Sequence, residues 1–220
     1  MPRVVIIGAA QHAHVVIDIL ERDSQVKIVG LVDRHAAAGQ TVLGYPVLGR
    51  DLELPPLCVQ YRLEAAIIAI GDNFIRGQVA ARLDEQLPGF PLISAIHPHV
   101  NLARGVTIGP GSVLAAGVTV GPQSVIGKLC LLNTHASLDH DSMMGDCSSL
   151  GPQAATGGNV QIGEYAAIAI GAVVSHGRTI GAHTVLGAGA VTVRDIPPLV
   201  VAYGNPARVI RTRQAGEAYL

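Results

Sequence analysis

From Val100 onward, apolar residues recur at every sixth position. A helix would show a period of 3.6 and an ordinary half-buried strand a period of two. Cut into hexads from Val100, the chain places Leu102, Ile108, Leu114, Val120, Ile126, Leu132, Leu138, Met144, Leu150, Thr156, Ile162, Ile168, Val174, Ile180, Leu186 and Thr192 at the third place. Fourteen of these sixteen are large and apolar. The fourth place is mostly glycine or small, as at Gly109, Gly121, Gly145 and Gly163. This pattern predicts a short strand followed by a corner, with glycine, Asn133 and Asp139 suited to corners because they tolerate positive φ. Three hexads close one triangular coil of 18 residues, with the third-place aliphatics stacked inside. Sixteen hexads make a little over five coils, roughly 25 Å tall at about 4.8 Å per rung. An antiparallel Gly-rich sandwich is the competing reading, and it does not account for sixteen hexads without an insertion.

Residues 1–95 follow another rule. Val4–Gly8, Val26–Val32, Ala65–Ile70 and Leu92–Ile96 read as strands, and Gln11–Arg22 and Phe74–Leu87 as helices. Alternating strands and helices predict a small parallel α/β, Rossmann-like sheet. The chain thus divides into an α/β domain (1–95), a parallel β-helix (96–208) and a C-terminal tail (209–220). Ligands gather at the carboxyl ends of parallel strands, which marks Gly8. Yet Gly8-Ala9-Ala10-Gln11-His12-Ala13 keeps only the first glycine of a dinucleotide fingerprint. Asp33 stands about where a ribose-binding acid would. A single nucleotide fits this loop better than a redox dinucleotide.

Composition narrows the function. Lys+Arg number 15 against 16 Asp+Glu, for a net charge of -1, which leaves no basic excess for general nucleic-acid binding. No apolar run reaches the roughly 18 residues that span a bilayer, and the N-terminus is too short in its apolar part for a signal peptide. Three scattered cysteines fit thiols in a reducing cytoplasm.

Candidate chemistry centres on Leu138-Asp139-His140-Asp141. Leu138 points inward, so His140 lies outside the core at a corner. Acyl transfer from a thioester needs a base for the acceptor, and imidazole titrates near neutrality. Asp141 is the favoured carboxylate partner, with Asp139 assigned to the corner. One rung away, the bare amide of Gly158 offers an oxyanion donor, unless that glycine merely turns a corner. His176 is two rungs from His140, about 9.6 Å, which reads as too far to share a proton directly. His99 and His135 are separated by the same two rungs, and ligands of one Zn²⁺ sit only about 4 Å apart. A zinc site within one subunit is excluded and one between subunits left open; no metal is expected. Cys130 and Cys147 read as packing residues. Arg208 is either a solvated tail residue or a phosphate contact.

Several segments carry a resemblance over nearly the whole chain: Gly8…His12, Tyr45-Pro46-Val47-Leu48-Gly49, Ala69-Ile70-Gly71-Asp72-Asn73, His97-Pro98, Asn133-Thr134, Asp139-His140-Asp141, Val193-Arg194-Asp195-Ile196-Pro197 and Gly204-Asn205-Pro206-Ala207-Arg208. Together they resemble the sialic-acid and bacillosamine-type sugar O/N-acyltransferases, which acetylate nucleotide-linked sugars for surface glycans. The resemblance implies a left-handed β-helix and a cytoplasmic homotrimer with acetyl-CoA in the groove between neighbouring β-helices. It implies that His140 is the base, Asp141 its partner and Gly158 the amide holding the thioester oxygen. Ile170, Ala188 and Arg208 are the further acetyl-CoA contacts expected. Gly8, His12, Asp33, Gly71, Asn73 and Asn133 are expected at the nucleotide-sugar. The chain departs from the family where Gln11 and Ala13 replace two loop glycines, and where Ser149 stands in place of a second histidine. The expected activity is N-acetylation of a nucleotide-linked 4-amino-4,6-dideoxy sugar. O-acetylation of a sialic-acid-type hydroxyl and a non-catalytic nucleotide-sugar-binding protein are the alternatives.

Overall fold

The computed structural model describes residues 1–35 and 39–219. Two compact units result: Met1–Gly71 with Ile75–Pro98, and Asp72–Phe74 with His99–Leu220.

The first unit is built on β1 (Arg3–Ile7), α1 (Gln11–Asp23), β2 (Lys27–Val32), β3 (Thr41–Val42), β4 (Tyr45–Gly49), α2 (Leu54–Tyr61), β5 (Ala65–Ile68) and α3 (Asn73–Gln86). Its sheet runs β3-β4-β2-β1-β5, and β1 pairs in parallel with both β2 and β5. Val4, Val5, Ile6, Ile67 and Ile68 are wholly buried, as continuous apolar runs of a central parallel sheet require. The helix α1 buries Ala13, Val16, Ile17, Ile19 and Leu20, while Val15 faces outward. The β3–β4 hairpin and α2 were not anticipated.

The second unit is a left-handed parallel β-helix. Sixteen two-residue strands, from Asn101–Leu102 to Val191–Thr192, recur every six residues and end on the third-place residues. Through Val173–Val174, each strand pairs in parallel with the one 18 residues on, as Leu131–Leu132 does with Ser149–Leu150. Three flat faces result. Leu114, Val120, Ile126, Leu132 and Leu138 fill the interior, and the two threonines in the row, Thr156 and Thr192, are buried there too. The tail is partly a strand: Ala207–Thr212 pairs antiparallel with Val200–Gly204 and closes the column.

The corners differ from expectation. Positive φ falls at the sixth place, at Gln123, Leu129, His135, Asp141, Cys147, Gln153, Asn159, Tyr165 and His183, and neither Asn133 nor Asp139 adopts it. The fourth-place glycines answer to crowding between rungs instead. A Cβ on Gly109 would lie 2.6 Å from the carbonyl carbon of Gly127, and one on Gly163 would lie 2.5 Å from the Ala182 nitrogen. Side chains are excluded there by the backbone of the next coil.

Asn73 is 1 % exposed, and its amide donates to the Ala166 carbonyl at 3.0 Å and to Ser149 Oγ at 3.1 Å. Phe74 rests against Tyr165 and against His183, whose two rings stack at 4.7 Å. Asn73 therefore has a packing role in this unit. Ser149, at the position of the absent second histidine, is its partner.

Candidate active site

The edge following Ser137–Leu138, Ala155–Thr156 and Val173–Val174 carries His140, Gly158 and His176 on successive rungs. Leu138 anchors the first rung in the core with no exposed surface. The backbone around His140 is fixed on both sides. Asp139 N–H donates to Thr156 Oγ1 at 3.0 Å, and the His140 carbonyl accepts from Asn159 N–H at 2.7 Å and from Ser142 Oγ at 3.2 Å.

The two flanking acids have separate tasks. Asp139 Oδ1 accepts the backbone N–H of His140 at 2.7 Å. Asp141 occupies the left-handed corner, φ 55°, and its Oδ2 lies 2.7 Å from His140 Nδ1. The carboxylate at Nδ1 is thus that of Asp141, and it is Asp141, not Asp139, that makes the corner. A carboxylate at Nδ1 favours the tautomer with the proton on that nitrogen, leaving Nε2 as acceptor. The hydrogen bond with Asp141 raises the imidazole pKa above its ordinary value. Partial burial opposes the rise, and the charges of Asp139 and Asp141 add to it.

Gly158 explains itself by what lies over it. The His140 imidazole, with Nε2 and Cε1 foremost, occupies the space that a Gly158 Cβ would need. Gly158 has no positive φ, so it is not a corner glycine. Its carbonyl accepts from Gly177 N–H at 2.9 Å, and its own N–H donates to no group among the described residues. A proton acceptor and a free amide donor therefore adjoin on one edge. The His140 and His176 rings are 6.1 Å apart between centroids. This is well short of the two-rung separation of their backbones, because the glycine between them lets the rings approach.

The other expected cofactor contacts lie elsewhere on the column. Ile170 and Ala188 follow strands of another face, one rung apart and exposed. Arg208 is exposed on the last strand. Asn133 sits at the far end of the Ser137–Leu138 strand from His140 and its N–H donates to the Leu150 carbonyl. Among the described residues, no three of His, Cys, Asp and Glu are grouped to hold a metal ion.

In the first unit, Gly8 and Asp33 line a pocket of about 300 Å³ together with Arg34, His35, Asp51, Ile70, Gln78 and Arg82. Gly8, at φ 110°, is required: a Cβ would lie 2.8 Å from the Ala69 carbonyl oxygen. Asp33 ties two loops, accepting Ala9 N–H at 2.8 Å and His35 N–H at 2.7 Å. The first helical turn of α1 has no side-chain cap, which leaves N–H donors at the mouth of β1, an arrangement suited to an anion. His12 is set deeper. Its Nε2 is buried without a partner among the described residues. Burial first, then the Arg76 cation, lowers its pKa to about 4, so the ring is neutral at physiological pH. Arg76 is wholly buried and donates to the carbonyls of Ile70 and Gly71, giving Gly71 a structural role. Arg76, Asp51 and Arg82 were missed in the sequence, where they read as ordinary charged residues on or beside helices.

Residues 3–83 match the family described as PglD N-terminal domain. A crystal structure of a histidine-to-asparagine variant of perosamine N-acetyltransferase from Caulobacter crescentus, in complex with CoA and GDP-perosamine, is 40% identical with a TM-score of 0.89. The match covers 95% of this chain and 97% of that one. The acetyltransferase domain of PglB from Neisseria gonorrhoeae, in complex with acetyl coenzyme A, is 32% identical with a TM-score of 0.86, over 94% of this chain and 98% of that one. An acyl-[acyl-carrier-protein]–UDP-N-acetylglucosamine O-acyltransferase from Aliivibrio salmonicida is 34% identical over 147 residues, which span 66% of this chain and 44% of that enzyme.

Proposed function

The chain belongs to the hexapeptide-repeat sugar acetyltransferase family, and from that premise we propose that it transfers acetyl from acetyl-CoA to the 4-amino group of a nucleotide-linked 4-amino-4,6-dideoxy sugar. The observation that carries this reading is the His140 imidazole, held at Nδ1 by Asp141 and laid over the bare backbone of Gly158. In this reading the neutral amine attacks the thioester carbonyl while His140 Nε2 takes its proton. Gly158 N–H donates to the oxygen as it gains charge. The C–S bond then breaks, and the products are the amide and CoA thiol.

The likeness to an enzyme bound to CoA and GDP-perosamine favours a GDP-linked acceptor. We place its nucleotide in the pocket lined by Gly8 and Asp33. The active unit is a cytoplasmic homotrimer. One subunit contributes the His140 edge to each groove, and its neighbour contributes Ile170 and Ala188, which explains why those residues lie on a different edge of the same chain. Arg208 borders this groove as a phosphate contact.

The deciding experiment is thiol release from acetyl-CoA with GDP-, UDP-, dTDP- and CMP-linked amino sugars offered in turn. Release with a GDP-linked 4-amino sugar is expected; no release with any of them would overturn the reading. Acceptor placement has its own check. Asp33→Ala frees the two backbone N–H groups that hold the loops, and should raise the acceptor KM by about 10-fold, the worth of a hydrogen bond or two. The KM of acetyl-CoA should stay unchanged. An effect confined to acetyl-CoA would show the two substrates to be misplaced.

A further inference from the structure

We infer that His176 is a second proton-transfer residue, which donates to the departing CoA sulfur while His140 accepts from the amine. The inference rests on the acetyl-transfer reading above and extends it. Three observations carry it. His140 and His176 stand on the rungs either side of Gly158, and their ring centroids are 6.1 Å apart at an interplanar angle of 45°. Gly158 has no side chain to separate them, and the space of its missing Cβ is filled by the reacting end of His140. His176 is exposed at its rung, with its carbonyl tied to Arg178 Nε at 3.2 Å, so its backbone is fixed and its ring is open to a bound molecule.

A thioester whose oxygen meets Gly158 N–H is therefore flanked by two imidazoles. The proton count closes. The amine nitrogen forms a bond to the carbonyl carbon and loses a proton to His140 Nε2. The C–S bond breaks, and the sulfur takes a proton from the His176 imidazolium. The cycle then leaves His140 charged and His176 neutral. No direct hydrogen bond joins the two rings, and we place one water between them as the bridge. A proton passing through that water restores both residues. The charged groups around the pair are Asp139 and Asp141 beside His140, and Arg178, Arg194 and Asp195 beside His176.

His176→Gln tests this, since the residue is exposed and the substitution leaves the core untouched. Expected are a kcat lower by roughly 10-fold, toward the small end of proton-transfer effects because a thiolate leaves well. KM values for both substrates should move less than about 3-fold, and the pH profile of kcat should change in shape with the loss of the second imidazole. A second readout needs no turnover. In NMR titration of the free protein, the His140 ring signals should carry an inflection from His176, and that inflection should be absent in His176→Gln. An active wild type whose variant keeps its kcat and pH profile, or whose His140 titration is unmoved, overturns the relay alone. A wild type that releases no CoA overturns the acetyl-transfer reading and the relay with it.

Discussion

His140→Asn is expected to lower kcat by roughly 10²–10⁴, the usual worth of a positioned proton acceptor. The fold should survive, because the side chain is 45% exposed and the rung is anchored by the buried Leu138. KM values should change little if the residue acts on the transition state. The pH dependence has a definite sign. His140 must be neutral to accept a proton, and the Asp141 hydrogen bond raises its pKa. The acid limb of the rate therefore lies above the ordinary imidazole value. Asp141→Asn should move that limb to lower pH and cost less in kcat than loss of His140. A His140→Asn enzyme with near-wild-type turnover at saturating substrate would mean that the amine arrives already deprotonated and that the site works by positioning alone.

Gly158→Ala should be nearly as damaging, for a different reason. The added methyl overlaps the imidazole at Nε2 and Cε1, so the ring must swing away from its rung. Backbone strain contributes nothing here, since Gly158 lacks the positive φ that penalises alanine. Folding and thermal stability should be nearly unchanged, while kcat falls on the order of 10²-fold, because base and oxyanion donor no longer adjoin. The measurement is a melting curve beside a kcat determination. Alanine tolerated in both would show that the ring does not work from its place over Gly158.

The β-helix was legible because its rule repeats sixteen times, so no single ambiguous residue can hide it. The meaning of its glycines was not legible. Small fourth-place residues looked like corner makers, yet they are small because the next coil's backbone passes within 2.6 Å of where a Cβ would sit. The true corners include Leu129 and Tyr165, residues with no turn signature of their own, held in the left-handed region by the stack around them. Asp141 was singled out on the ground that Asp139 took the corner, yet Asp141 is itself the corner. The absence of a direct His140–His176 hydrogen bond was expected from the two-rung spacing, but the 6.1 Å approach of the rings was not, because rung spacing measures backbones while side chains close over a glycine. The packing of Asn73 was not legible, because a buried amide bonded to Ala166 looks, in one sequence, the same as an amide waiting for a ligand. In the first unit the strands β1, β2 and β5 announced themselves by continuous apolar runs. The short hairpin and the Leu54–Tyr61 helix did not, because neither carries enough apolar period to stand out.

Each rung of the second unit pairs with the rung before it and the rung after it, so the column is close to a one-dimensional stack. Eighteen residues gained or lost beyond the His140–His176 stretch would leave every remaining pairing intact, whereas six or twelve would carry the reactive edge round to another face. Length and chemistry can therefore drift separately in descent. The first changes by whole coils at small cost, and the second changes only by single substitutions along one edge.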